Sequence, residues 1–84
     1  MKQYHTPDLY FEKENFFVEI KGYFRKESME KILLVKEAHP DLDLRFVFQN
    51  NPKIVGRKRM RYSDWCEKHG FKYAFGKVPD EWTE

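Results

Sequence analysis

Apolar and polar positions alternate along Asp8-Leu9-Tyr10-Phe11-Glu12 and again along Phe16-Phe17-Val18-Glu19-Ile20-Lys21. Both stretches are rich in aromatic or β-branched residues, so they predict two strands, 8–12 and 16–21, around a turn at Lys13-Glu14-Asn15. Gly22 ends the second strand. From residue 26 to 38 the period changes to that of a helix, with Met29, Ile32, Leu33 and Val35 toward a core. Glu27 and Lys31 add an i,i+4 pair in the favourable orientation, and Pro40 stops the helix. Leu44-Arg45-Phe46-Val47-Phe48 predicts a third strand, closed by the polar turn Gln49-Asn50-Asn51-Pro52. Residues 53–61, interrupted by Gly56, predict an irregular or extended excursion. Ser63 can then N-cap a short helix ending near His69, where Gly70 suits a left-handed residue. A last strand is expected at 71–75, and Pro79-Asp80-Glu81-Trp82 predicts one helical turn with Trp82 on the core. The order ββαβ(loop)αβ implies a mixed sheet with helices, an α/β or α+β fold in one domain spanning 1–84.

Composition explains how so short a chain can fold. Among 84 residues are eight Phe, five Tyr and two Trp, and each ring buries a large apolar area. Disorder is therefore not expected despite 36% charged residues. Ile32-Leu33-Leu34-Val35 is the longest apolar run, too short to span a bilayer, and the first five residues lack a signal-peptide core. Cys66 is the single cysteine, which excludes an intrachain disulfide and a Cys-rich zinc site. A soluble, cytosolic protein is expected. The net charge of +2 hides an uneven distribution. Lys53, Arg57, Lys58, Arg59 and Arg61 fall within nine residues without an acid, while the rest of the chain is net negative. Such a loop suits a phosphate backbone, although many basic runs are only solvated faces.

The first hairpin holds the candidate chemistry. In strand 16–21, Phe16, Val18 and Ile20 point to one face, expected to be core, while Phe17, Glu19 and Lys21 point to the other. Glu19 and Lys21 are then roughly 7 Å apart at two residues' rise. A two-residue loop at 13–14 or a four-residue loop at 12–15 sets Asp8 directly opposite Glu19, with Leu9 and Phe11 on the core face. A three-residue loop would break this register. Facing carboxylates lie about 5 Å apart and repel. A divalent cation between them resolves the repulsion, and Mg²⁺ commonly takes one or two carboxylates plus waters and phosphate. Lys21 could then orient or deprotonate a water, or steady the phosphate. The plainer alternative is an exposed Glu19–Lys21 pair of little energetic consequence.

These residues carry a family resemblance. Thr6-Pro7-Asp8, ten residues, then Glu19-Ile20-Lys21-Gly22 is similar to the PD-(D/E)xK nuclease signature. More specifically, the chain resembles the phage endonuclease I family of Holliday-junction resolvases. The similar blocks are Tyr4–Asp8, Phe17–Gly22, His39–Phe48, Cys66–Gly70 and Pro79–Trp82, collinear over nearly the whole chain. The resemblance implies a restriction-endonuclease-like sheet and a metal-dependent endonuclease that hydrolyses DNA phosphodiesters and favours branched DNA. By matching position, Asp8 and Glu19 would be metal ligands, Ile20 would lend its backbone carbonyl, and Lys21 would be the catalytic lysine. Mg²⁺ is the implied metal, with Mn²⁺ as its substitute, and the bacterial host cytoplasm the implied location. The family carries a further catalytic glutamate on a helix upstream of the Thr-Pro-Asp block, exchanged between subunits. Here Asp8 has only seven residues before it. The expectation is therefore a site within each chain, in a monomer or weak homodimer, or one completed by another polypeptide.

The remaining candidates read more simply. His5 is expected as a polar strand end and His39 as a helix C-terminal residue. Cys66 and His69 have helical i,i+3 spacing, but two candidate ligands do not make a zinc site, and Cys66 reads as core. Tyr10 and Phe17 could stack on bases or be covered by the following helix; Trp65 and Trp82 read as core. Beside the nuclease stand two alternatives: a non-catalytic DNA-binding module or partner subunit that retains the fold, and a protein-interaction module with an incidental basic loop.

Overall fold

The computed structural model describes residues 7–57 and 59–84. The elements run β1 (Leu9–Phe11), β2 (Phe16–Lys21), α1 (Lys26–Ala38), β3 (Leu44–Phe48), α2 (Tyr62–His69) and β4 (Tyr73–Phe75), then a 3₁₀ turn, Asp80–Trp82. They form an α+β fold on a four-stranded sheet in the order β1-β2-β3-β4. β1 pairs antiparallel with β2, while β2–β3 and β3–β4 are parallel. Two successive crossovers step in the same direction across the sheet. Right-handed connections of that kind place both helices on one face.

That face carries the main core. Met29 and Ile32 of α1 and Tyr62, Trp65 and Cys66 of α2 pack with Phe24, Leu44, Phe46, Phe48, Ile54 and Phe71. Phe24 lies among Phe46, Phe48, Tyr62 and Trp65, with ring centroids 4.9–5.6 Å away. Full burial of one such ring stabilises by about 1.5–3 kcal/mol, so this cluster supplies much of what a chain of this size requires. Burial pushes the Cys66 thiol up to about 12, with Glu67 adding to the shift, so it stays protonated as a core residue. Among the described residues, no helix is long and apolar enough to cross a membrane.

The opposite face is thinner. Phe16, Val18 and Val47 are covered there by Phe11, Val78 and Trp82, which is half-buried. Arg45 lies in this layer, its guanidinium 3.9 Å above the Phe16 ring and 5.2 Å from that of Trp82. Its Nε and Nη2 donate to the two Asp43 carboxylate oxygens at 3.0 and 2.8 Å. That bidentate hydrogen bonding, with the Arg45 charge, holds the Asp43 carboxyl below its usual value. Nothing in the sequence pattern assigned Arg45 this role.

Several local expectations change. Ile20 and Leu9 do not join a core: both are exposed, Ile20 at 44%, because the small cover formed by Val78 and Trp82 stops short of them. Strand β4 begins at Tyr73 rather than at 71, since Phe71 turns into the main core. Ser63 is not the N-cap of α2; Arg61 occupies that position. The Ser63 N–H in the first turn donates to Asn51 Oδ1 at 3.1 Å, and Asp64 Oδ2 reaches back to accept from the N-cap Arg61 N–H at 2.8 Å. Gly70 takes the left-handed conformation at the end of α2, with φ of 77°.

Candidate active site

The chain turns between β1 and β2 through residues 12–15, with Asn15 at a φ of 57°. Leu9 then pairs with Val18, Tyr10 with Phe17 and Phe11 with Phe16, the register that a four-residue loop imposes. Asp8 falls one residue before β1. Its side chain bends onto the neighbouring strand instead, where Ile20 N–H donates to Asp8 Oδ2 at 2.8 Å.

This bond also locates the Ile20 carbonyl. Phe17 N–H donates to Asp43 O and Lys21 O accepts from Gln49 N–H, so odd residues of β2 face β3. Ile20, one step out of phase, directs both its backbone groups toward the β1 side. Asp8 takes the N–H there, and the carbonyl points to the same edge, beyond the start of β1.

Glu19 is more deeply set than expected. In the parallel register it lies beside Phe46 of the main core, and it is only 4% exposed. Lys21 Nζ stands 3.2 Å from Glu19 Oε2, and the Lys21 side chain remains 20% exposed. A buried carboxylate is stable only with close partners, and this lysine is one of them. The pair is therefore not an ordinary solvated one. Among the described residues no group of three His, Cys, Asp or Glu converges. Two carboxylates and a backbone carbonyl at one strand end are nevertheless all hard oxygen donors. That chemistry fits Mg²⁺ or Mn²⁺, which retain waters and accept few protein ligands, and does not fit a soft-metal site.

The position in the sheet matters as much. Lys21, Phe48 and Phe75 end the three parallel strands, and Asp8 immediately precedes the antiparallel one, so all lie at one end of the sheet. Open sheets bind ligands outside the carboxyl ends of their parallel strands. The basic segment leaves from that end, since Gln49 N–H bonds to Lys21 O.

The excursion expected at 53–61 as irregular or extended closes on itself, with an extended bridge at its ends. Lys53 bridges Arg61, and Ile54 N–H donates to Met60 O at 2.7 Å. Ile54 anchors the loop in the main core. Arg57 N–H donates to Ile54 O at 3.1 Å, which leaves the exposed Lys53, Arg57 and Arg59 around a shallow concavity. Arg61 is partly structural, because its Nη1 donates to Asn51 O at 2.6 Å. Asn51 also donates from Nδ2 to Ser63 Oγ, so one side chain fastens the loop neck to α2. Neither Lys58 nor His5 is among the described residues. Tyr62 was likewise not read as a site support: its Oη accepts from Phe24 N–H at 2.9 Å and ties the chain after Lys21 to α2.

Comparison with known proteins supplies the family. A family model for Phage endonuclease I matches residues 1–84. Endonuclease I of Escherichia phage T7 is 39% identical over 81 residues, covering 95% of this chain and 54% of that protein. Endodeoxyribonuclease 1 of Enterobacteria phage T3 is 37% identical over 76 residues, covering 89% of this chain and 49% of that protein. The chain thus spans about half the length of these curated relatives. With a whole-chain match and a hairpin that brings Asp8, Glu19 and Lys21 to one strand end, the chain belongs to the phage endonuclease I family.

Proposed function

We propose that this chain is a metal-dependent DNA endonuclease that nicks duplex or branched DNA in a resolvase-like manner. The single observation that carries the reading is the strand end itself. Glu19 is buried beside Lys21 at 3.2 Å, and Asp8 is held on the Ile20 amide at 2.8 Å. A protein that only bound DNA would have little use for two carboxylates at the strand end beside its basic loop.

Asp8, Glu19 and the Ile20 carbonyl would hold Mg²⁺ or Mn²⁺. When bound, such an ion neutralises phosphate charge and activates water. The other duties fall to the protein. The Ile20 amide fixes the Asp8 carboxylate, so its second oxygen is oriented before any ligand arrives. Glu19 positions the Lys21 ammonium, whose remaining donors reach a water or a non-bridging phosphate oxygen. Water would attack phosphorus and give up one proton to solvent while the bond to the departing sugar oxygen breaks, and that oxygen would take up one proton from solvent, leaving a phosphomonoester and a free hydroxyl. Lys53, Arg57, Lys58 and Arg59 would grip the DNA backbone from the adjoining loop, with Arg61 contributing mainly through the loop neck.

Supercoiled plasmid incubated with the chain tests this function. Nicked circles are expected to accumulate before linear DNA in Mg²⁺ or Mn²⁺, and EDTA should stop the reaction. Binding without cleavage in both metals would replace the nuclease with a DNA-binding module.

A further inference from the structure

Tyr10 and Phe17 lie on the Glu19 face of the hairpin as a cross-strand pair. Their rings stack with centroids 4.5 Å apart and planes 26° from parallel. Phe17 packs against the main core, so the lower ring is fixed. Tyr10 above it is also held, because its hydroxyl donates to Asn15 Oδ1 at 2.9 Å. Among the described residues no helix closes over the outer ring, and Tyr10 is 49% exposed. A rigid aromatic face with half its surface in water is what a nucleobase requires for stacking.

Its place along β2 gives this face a use. Phe17 precedes Glu19 by two residues, about 7 Å of strand. Lys21 and the root of the basic loop lie the same way beyond Glu19. The order is therefore aromatic pair, carboxylates, lysine, cationic loop. A strand whose backbone is held by the loop and whose phosphate rests at the carboxylates brings its next base over Tyr10.

We propose that the Tyr10–Phe17 pair is a stacking subsite for one unpaired nucleobase adjoining the scissile phosphate. The adjoining phosphate is the scissile one only on the nuclease reading, whereas the stacking face is the pair itself. A base inside a duplex is already stacked on both sides, so the subsite favours single-stranded, frayed or branched DNA over intact duplex. Stacking tolerates every base, since each has a π face, and no sequence preference follows from it.

The test is a short oligothymidylate with one aminopurine, bound in EDTA so that nothing is cut. Binding to the unaltered chain should quench aminopurine fluorescence. Tyr10→Leu keeps an apolar side chain on Phe17 but removes the π face, and should bind the strand about tenfold more weakly with the quench lost. Tyr10→Phe keeps the ring, and its affinity should stay within about twofold, given that stacking carries the contact. Absence of quenching in the unaltered chain overturns the proposal without reference to any variant. So does equal affinity and quenching in Tyr10→Leu, which would make the pair a hairpin stabiliser only. Plasmid cleavage separates the two readings. A chain that cuts without quenching loses the subsite alone, and one that quenches without cutting loses the nuclease alone.

Discussion

Lys21→Ala is expected to lower plasmid nicking by about 10²–10⁴-fold, the range typical of a positioned proton-transfer or charge-stabilising group. Asp8→Asn and Glu19→Gln should cost at least as much. The reasons differ. An asparagine at position 8 can still accept from the Ile20 amide through its side-chain oxygen, so the hairpin stays while the charge goes. Glutamine at position 19 removes the partner of Lys21 and a carboxylate buried beside Phe46. DNA binding should persist in all three, and it should strengthen slightly in the two carboxylate variants as repulsion of phosphate falls. Side-by-side time courses with gel-shift controls measure both quantities. Unaltered rates in all three variants would end the assignment of this strand end as the catalytic site.

The second large effect belongs to the basic loop. Changing Lys53, Arg57 and Arg59 together to Glu should weaken DNA binding on the order of a hundredfold at low salt, with the gap closing as salt rises. The slope of log affinity against log salt should flatten by about one unit for each lost phosphate contact. Sequence should make little difference, since backbone contacts carry no base information. Arg61 is left intact in this variant because its bond to the Asn51 carbonyl holds the loop neck. An unchanged slope would make the loop a solvated face, and the DNA would have to follow another path.

The parts visible in the sequence are those governed by local periodicity. Residues 16–21, 26–38 and 44–48 form β2, α1 and β3 with the expected bounds, because alternation and helical spacing are unbroken there. The hairpin register was legible too, since one loop length decides it. The depth of the site was not. Phe16, Val18 and Ile20 alternate with Phe17, Glu19 and Lys21, and both sets include apolar residues. Only the crossovers decide which face both helices cover, and they cover the Glu19 face. Hence Glu19 is buried while Ile20 is exposed. The loop neck was equally hidden. Asn51 bonds to Ser63 and Arg61 across a closed loop, and no local pattern announces a side chain that caps a distant helix. Arg45 illustrates the converse: a charged residue mid-strand signals only that a partner exists, and Asp43 with two aromatic rings supplies it.

A divalent cation held by Asp8, Glu19 and the Ile20 carbonyl should reveal itself by paramagnetic broadening when that cation is Mn²⁺. In a titration of the isotopically labelled chain, followed by amide resonances, weak binding is no obstacle because broadening needs only transient occupancy. The backbone amides of Asp8, Glu19, Ile20 and Lys21 should broaden first, and Mg²⁺ in excess should restore them. Replacing Asp8 by Asn and Glu19 by Gln together should abolish the selectivity. First broadening at the acidic positions of α1, with the β2 end untouched, would remove the cation from this strand end.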